Sequence, residues 1–226
     1  MHPTLQSLRG RLIVSCQADP GSPFRAVEHI VAFARAAEAG GAAGVRIQSL
    51  EDVRAVRAAV KLPVIGLIKR KVPGFDAYIT TTPAEVTALA SAGAEIVAFD
   101  ATTLSRPHPV VELVAAAHQA GVLTMADCAT LDDVRRAVAA GADLVGTTMS
   151  GYTPDSPRQE RPDFALVEAA SQLPGGVPVV AEGRIASPAD AAEAIRCGAF
   201  CVVVGSAITR PETVVGWYAA ALDGAR

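Results

Sequence analysis

One arrangement recurs along this chain: an alanine-rich helical segment, a glycine, and then a short hydrophobic run. It is found as FARAAEAGGAAGVRI, ALASAGAEIVAFD, VAAAHQAGVLTMAD, RRAVAAGADLVGTT and EAIRCGAFCVVVG. Glycine tolerates the left-handed geometry that is common at a helix C-terminus. Each segment has such a glycine: Gly40, Gly93, Gly121, Gly141 and Gly198. The pattern predicts a chain built from successive strand–helix units.

The hydrophobic runs predict eight strands. They are Leu12–Cys16, Gly44–Ile47, Val64–Ile68, Ile96–Phe99, Leu123–Ala126, Leu144–Thr147, Val179–Ala181 and Cys201–Val204. The runs are continuous, which is typical of parallel strands covered on both faces. Helix N-caps are predicted at Ser49, Thr82, Thr130 and Ser187. Eight such units predict an α/β fold, a (β/α)8 TIM barrel forming a single domain over residues 1–226. An open doubly wound sheet is the main alternative, but no G-x-G-x-x-G follows the first strand.

Charge and composition narrow the classes of function. The formal net charge is -3 and no dense run of lysine and arginine occurs, so we expect no nucleic-acid or membrane partner. No apolar stretch approaches the roughly 20 residues that cross a bilayer, and no leader pattern is seen, so we expect a cytoplasmic protein. The cysteines lack paired CxxC spacing, which predicts buried, reduced thiols: Cys16, Cys128, Cys197 and Cys201.

Polar residues close most of the predicted strands. In a barrel the strand C-termini meet at one mouth, where chemistry takes place. The residues are Gln17, Arg46, Lys69, Asp100, Asp127, Thr147, Thr148, Glu182, Gly205 and Ser206. In the stretch PVIGLIKRK we expect Lys69 to point into the mouth, while Arg70 and Lys71 face solvent. Four ionisable residues at corresponding points of different units predict a shared site: Arg46, Lys69, Asp127 and Glu182.

The last two strand–helix loops, in AEGRIASPADA and VVVGSAITRP, predict a phosphate site. In each, a hydrophobic strand runs into a glycine, which lets the backbone approach an anion closely. A phosphate site after strands seven and eight recurs in barrels. The predicted phosphate-binding residues are Gly183, Arg184, Gly205 and Ser206, with Arg210 as an additional cation.

Two other features limit the function. The polar, proline-rich loop GYTPDSPRQERPD after strand six is either a lid or an ordinary surface excursion. The four histidines do not stand at paired strand ends, which argues against a metal site held by histidines and acids; they are His2, His29, His108 and His118. We expect His108 to be solvated, and we predict neither a metal nor a cofactor.

The segments GLIKR, GTTMSGYT and AEGRI are the most specific in the chain, and SCQA, GVRI, YITTT and MADCATLDD accompany them. Together they resemble the N-acylglucosamine-6-phosphate 2-epimerase family, also called N-acetylmannosamine-6-phosphate 2-epimerase, of bacterial sialic acid catabolism. The resemblance implies that Lys69 and Glu182 are catalytic. It implies substrate binding by Gln17, Arg46, Asp127, Thr147 and Tyr152. Lys71 stands where the family often has an acid.

The resemblance implies an isomerase that interconverts N-acetylmannosamine 6-phosphate and N-acetylglucosamine 6-phosphate by moving a proton at carbon 2. A lysine acting as base must be desolvated or held near other cations, because its ordinary pKa is about 10.4. A phosphosugar is then the expected partner, and a homodimer is left open. Two alternatives remain: another phosphosugar isomerase or lyase with a Schiff base at Lys69, and a non-catalytic phosphosugar-binding regulator.

Overall fold

The strands close into a parallel barrel. A computed structural model describes residues 2–225, and in this part of the chain eight strands pair in sequence order, with β8 returning to β1. They are β1 Leu12–Cys16, β2 Gly44–Gln48, β3 Val64–Leu67, β4 Ile96–Asp100, β5 Leu123–Asp127, β6 Leu144–Gly146, β7 Val179–Glu182 and β8 Cys201–Val204. The predicted (β/α)8 barrel is confirmed.

Ten helices occur between residues 2 and 225: α1 Pro3–Leu8, α2 Val27–Ala39, α3 Leu50–Ala59, α4 Pro83–Ala92, α5 Val110–Gln119, α6 Leu131–Ala139, α7 Phe164–Ser171, α8 Pro188–Arg196, α9 Ser206–Thr209 and α10 Pro211–Asp223. The predicted N-caps are confirmed, since each hydroxyl accepts a backbone N–H three residues further on: Ser49, Thr82, Thr130 and Ser187. None of the helices in this range combines the length and hydropathy needed to cross a bilayer.

Several strand ends differ from the prediction by one residue. β2, β4, β5 and β7 are longer because their polar last residues still pair across the sheet, as Asp100 does with Asp127 and Glu182 with Val203. β6 ends earlier, at Gly146, because the chain turns there. β3 also ends earlier, at Leu67, because the backbone of Ile68 binds a loop residue instead.

Two local predictions need correction. Gly40 ends α2 as predicted, but its φ of -77° is not left-handed, and Gly41, at 86°, makes the turn. The four later glycines do have positive φ, between 73° and 103°. All four cysteines are free, but Cys197 is only partly buried because it caps the surface end of α8.

Two hydrophobic clusters hold the barrel together. One lies between the strands and the surrounding helices, where β-strand residues such as Val45 and Phe99 meet helix residues such as Leu89. The other fills the barrel interior and includes Leu5 and Leu8 of α1. Every strand is therefore buried on both faces, so polar side chains reach solvent mainly at the mouth.

The last helix departs from this arrangement. Within Pro211–Asp223 no residue is buried. Val215, Tyr218 and Leu222 are 66%, 71% and 67% exposed and, at spacings of three and four residues, lie on one face of α10. An apolar stripe of this kind is typical of a helix that packs against another surface.

Candidate active site

A cavity of about 590 Å³ opens at the carboxyl ends of the strands. Most of the predicted site residues lie on its wall: Gln17, Arg46, Lys69, Tyr152, Glu182, Gly183, Arg184, Gly205, Ser206 and Arg210. Asp127 and Thr147 lie behind the wall and contact residues that form it. The residues predicted from the ends of the strands therefore share one cavity, and they come from most of the barrel.

Further lining residues were not among the predicted site: Ser15, Asp19, Tyr78, Ile79, Met149 and Trp217. Ser15 and Asp19 flank Gln17, so the end of β1 carried a signal for both. Met149 lies within GTTMSGYT, and Tyr78 and Ile79 lie within YITTT, and both segments carry the family resemblance. Trp217 lies on α10, and no local sequence pattern predicts that it reaches the mouth.

Arg46 is the centre of a buried ionic cluster. Its side chain is 1% exposed and lies between two carboxylates. Nη2 donates to Asp127 Oδ2 at 2.5 Å, and Nη1 donates to Glu182 Oε2. Thr148 completes the cluster, because its hydroxyl accepts from Arg46 Nη1 at 3.2 Å and donates to Asp127 Oδ1 at 2.7 Å. One guanidinium therefore serves two acids, and its geometry suits such a bidentate role.

The cluster sets the protonation of its members. Burial alone would lower the pKa of Arg46, but Asp127 and Glu182 outweigh it and raise the pKa above its ordinary value. Burial raises the pKa of Glu182, and Asp127 adds to the rise, while Arg46 opposes it. Burial likewise raises the pKa of Asp127 against the pull of Arg46. Because burial outweighs the attraction of Arg46, Glu182 binds a proton more readily than an exposed glutamate.

Lys69 lies two residues beyond the end of β3, on the cavity wall. Burial lowers its pKa, and repulsion from Arg46 and Arg210 lowers it further, while Glu182 and Asp19 pull the other way. Such a lysine is neutral at a lower pH than a solvated one and can take up a proton. Arg70 and Lys71 are exposed, as predicted, and Arg70 pairs with Glu85.

Gln17 offers the cavity an unused acceptor. Its side chain is buried, and Nε2 donates to Ser15 Oγ at 2.9 Å. Among residues 2–225, Oε1 has no hydrogen-bond partner. A buried amide oxygen without a partner is costly, so this atom is available to a ligand N–H or O–H.

The glycine loops that follow β7 and β8 also line the cavity. Gly183 has a φ of 108°, and a Cβ at Gly205 would lie 3.3 Å from Ser15 Cβ, so both positions favour the absence of a side chain. Arg184 donates to two backbone carbonyls, of Arg161 and Ser150, at 2.8 Å each. Arg210 holds Asp19 through two hydrogen bonds, at 2.6 and 3.1 Å.

Behind the wall, two predicted substrate-binding residues orient others. Asp127 is fully buried and holds Arg46 and Thr148. Thr147 donates its hydroxyl to the carbonyl of Glu182 at 2.9 Å and accepts the Glu182 N–H at 3.1 Å. Both therefore act on the cavity through a neighbour.

The loop after β6 borders the cavity through Tyr152, whose ring is 5.5 Å from the Arg184 guanidinium carbon. Its far end is tied by Asp163, which accepts from Ser150 at 2.6 Å and Gln159 at 2.9 Å. His108 lies outside the cavity and pairs with Glu112, as expected for a solvated side chain. Within residues 2–225, no cluster of three histidine, cysteine or acidic residues is arranged to hold a metal ion.

Comparison with known proteins gives consistent matches along the chain. Residues 30–224 match the NanE family, whose description is "Putative N-acetylmannosamine-6-phosphate epimerase". The "Bifunctional enzyme NanE/NanK" of Brucella melitensis is 53% identical over 218 residues, which cover 96% of this chain and 42% of that protein. The chain thus spans about two fifths of this relative's length. A Klebsiella pneumoniae protein with the corresponding 2-epimerase name is 50% identical, covering 96% of this chain and 91% of its own.

The solved structures agree with the sequence matches. The N-acetylmannosamine-6-phosphate 2-epimerase from Clostridium perfringens superposes with a TM-score of 0.94 at 40% identity, over 97% of this chain and 96% of that one. Thiamine phosphate pyrophosphorylase from Pyrococcus furiosus shares the fold alone, with a TM-score of 0.64 at 17% identity, over 91% of this chain and 89% of that one. On its sequence and its architecture alike, the chain belongs to the NanE family.

Proposed function

We propose that this chain interconverts N-acetylmannosamine 6-phosphate and N-acetylglucosamine 6-phosphate by proton transfer at carbon 2. One observation carries the proposal: Lys69 and Glu182 share a cavity, with the pKa of the lysine lowered, first by burial, and the pKa of the glutamate raised, also first by burial. Two groups whose pKa values are shifted toward neutral pH are suited to act as base and acid. The names of the relatives support the same activity.

Lys69 is the proposed base. In the open-chain sugar, carbon 2 lies next to the aldehyde, so its proton is acidic enough for a positioned amine to remove. The C–H electrons then form an enolate with the aldehyde oxygen, and the positive charge of Arg46 stabilises that oxygen. Reprotonation on the other face gives the epimer, and Glu182 takes part in proton transfer during ring opening or this return step.

Substrate placement follows from the rest of the wall. The proposed phosphate-binding residues are Gly183, Arg184, Gly205, Ser206 and Arg210. Gly183 directly follows Glu182, so an anchored phosphate would hold the reacting carbons close to the catalytic pair. We propose that Gln17 accepts a hydrogen bond from the sugar and that Tyr152 contacts it from the loop. Asp127 and Thr147 act by holding Arg46 and Glu182.

Proton NMR in heavy water tests the activity. Purified protein and either sugar phosphate should give the other epimer, with deuterium incorporated at carbon 2. Binding without deuterium uptake would instead indicate a regulator. A borohydride-stable adduct on Lys69, located by mass spectrometry, would indicate Schiff-base chemistry and overturn the epimerase mechanism.

We also propose a homodimer, supported by α10 and a groove on the same chain. The groove has a volume of about 480 Å³ and is lined by Leu12, Ile195, Val202, Val204, Ala207 and Ile208. In a barrel, the helix after each strand covers the strands, yet α10 follows β8 with no buried residue. Exchange of α10 between two copies would cover both apolar surfaces.

Light scattering tests this assembly. Tyr218→Asp places a charge on the exposed face of α10 and should give a monomer. Val111→Asp is the matched control, because Val111 is 55% exposed on α5 and should tolerate the same change. A wild-type protein that is monomeric at assay concentration would refute the proposal.

Residues 1–226 are proposed to act as one catalytic unit, and a cytoplasmic location is proposed with it. The free thiols support this location, because reduced cysteines are typical of compartments rich in glutathione. Fractionation of cells producing the native protein tests it, and enrichment with membranes or in the periplasm would refute it.

A further inference from the structure

A short segment, Tyr78–Thr80, enters the barrel wall between β3 and β4 at the mouth. The two strands pair directly through Ile65–Ile96 and Gly66–Val97. Beyond these pairs the loop segment lies between the strands. The N–H of Asp100 on β4 donates to Ile79 O at 2.9 Å, and Lys69 pairs with Ile79 in an antiparallel bridge.

Thr80 binds both backbone groups of Ile68, the residue before Lys69. Its N–H donates to Ile68 O at 2.8 Å, and its hydroxyl accepts the Ile68 N–H at 3.1 Å. On the other side of Lys69, the N–H of Arg70 donates to Tyr78 O at 2.8 Å. The neighbours of Lys69 are therefore both fixed, although β3 has already ended.

The backbone of Thr80 is unusual. Its φ is +41°, and the residue is 1% exposed. A β-branched residue rarely adopts positive φ, because its side chain crowds the backbone. Strained residues of this kind persist where surrounding contacts require them, and they cluster at functional sites. In this conformation the Thr80 N–H donates to the carbonyl of Ile68, and the Thr80 hydroxyl accepts the Ile68 N–H.

We propose that Thr80 is a positioning residue for Lys69, holding the backbone of Ile68, directly before the lysine, so that the lysine amine stays in the cavity. The inference rests on the proposed function, in which Lys69 is the base. This role requires no contact between Thr80 and the substrate. The hydroxyl matters because it replaces the hydrogen-bond partner that β4 would supply to Ile68 in an unbroken sheet.

Three substitutions separate the features of Thr80. Thr80→Val removes the hydroxyl and keeps the shape, and we expect kcat to fall about tenfold to a hundredfold with KM nearly unchanged. Thr80→Ser keeps the hydroxyl and should retain most of the activity. Thr80→Gly adopts positive φ freely but lacks the hydroxyl, so its kcat should also fall. This variant keeps the test decisive if Thr80→Val does not fold.

Thr124→Val is the matched control. Thr124 is fully buried near the amino end of β5, and its hydroxyl donates to Asp143 Oδ2 at 2.7 Å and accepts the Asp143 N–H at 2.9 Å. This variant should lose stability as readily as Thr80→Val while keeping its kcat and its pH profile. A purely structural role for Thr80 would make the two valine variants behave alike.

The second measurement does not depend on turnover. The chain has three lysines, Lys61, Lys69 and Lys71, so competitive acetylation followed by mass spectrometry resolves each amine as the pH is varied. In wild-type protein Lys69 should react at lower pH than the two exposed lysines. In Thr80→Val and Thr80→Gly its reaction should move to higher pH, as should the acid limb of kcat.

The two measurements distinguish the possible failures. Wild-type protein without deuterium exchange would refute the proposed function, while a labelling shift in the Thr80 variants would still support positioning of Lys69. Active wild-type protein whose Thr80→Gly and folded Thr80→Val variants keep wild-type kcat and labelling would overturn the inference.

Discussion

Replacing Arg46 with methionine should expose how strongly the buried cluster depends on one cation. The guanidinium is 1% exposed and hydrogen-bonds to Asp127, which is fully buried, and to Glu182, whose side chain is 14% exposed. Removing one partner of a buried ion pair leaves an uncompensated charge and costs about 3 to 5 kcal/mol. For a domain of this size that loss corresponds to a fall in Tm of about 6 to 20 °C.

The loss should depend on pH in a defined direction. With Arg46 present, burial already raises the pKa of both Asp127 and Glu182, and without it the pKa of each carboxyl rises further. A carboxyl whose folded-state pKa lies above its unfolded value destabilises the fold as the pH rises through that interval. Arg46→Met should therefore be less stable at neutral pH than in mild acid, and it should recover stability as the pH falls and the two carboxyls take up protons.

Urea unfolding followed by circular dichroism, repeated at several pH values, measures both effects. Arg70→Met is the matched control, because Arg70 pairs with Glu85 at the surface, with 52% of its side chain exposed. That pair should contribute at most about 1 kcal/mol. If Arg46→Met lost less than about 1 kcal/mol and followed the wild-type pH dependence, the account of a buried cluster with one cation for two acids would be wrong.

Three further predictions concern turnover. Lys69→Ala should abolish epimerisation while substrate binding is largely kept, and Lys71→Ala should have a small effect. Lys69→Arg should also be inactive, because arginine stays protonated and cannot act as a base. An active Lys69→Ala enzyme would contradict the assignment of Lys69 as the base. Glu182→Gln should lower kcat much more than it weakens binding. Deuterium exchange that survives without net epimerisation would assign Glu182 to the second proton delivery. Lower thermal stability with normal turnover would show a structural role instead. N-acetylmannosamine without its phosphate should show a much lower kcat/KM, and similar efficiency for both sugars would contradict the phosphate site.

The sequence predicted the barrel, and it predicted many of the residues that line the cavity at the mouth, for a physical reason. Parallel strands covered on both faces must be continuously apolar, so a polar residue such as Lys69 or Glu182 can follow a strand only where the chain reaches the mouth. The helix caps were equally local, since a hydroxyl at Ser49 or Ser187 binds an N–H three residues away. Features determined within one strand–helix unit could therefore be predicted without the fold.

Features that depend on contacts between different strand–helix units could not be predicted in this way. The position of a residue at the end of a strand predicts that it lies at the mouth, but not how deep its side chain lies. The sequence therefore did not distinguish Arg46, on the cavity wall, from Asp127, behind the wall. The insertion of Tyr78–Thr80 depends on β3 and β4 separating after two pairs, which no pattern in either strand indicates. Trp217 reaches the cavity through the placement of α10, which depends on the tertiary arrangement.

That placement provides an intrinsic optical probe. The chain contains a single tryptophan, and Trp217 both lines the cavity and lies on α10, with 43% of its surface exposed. Its emission should therefore change when a ligand excludes water from the cavity, and separately when α10 acquires a partner. Titration with substrate at fixed protein concentration, and dilution without substrate, would follow the two events in unlabelled protein.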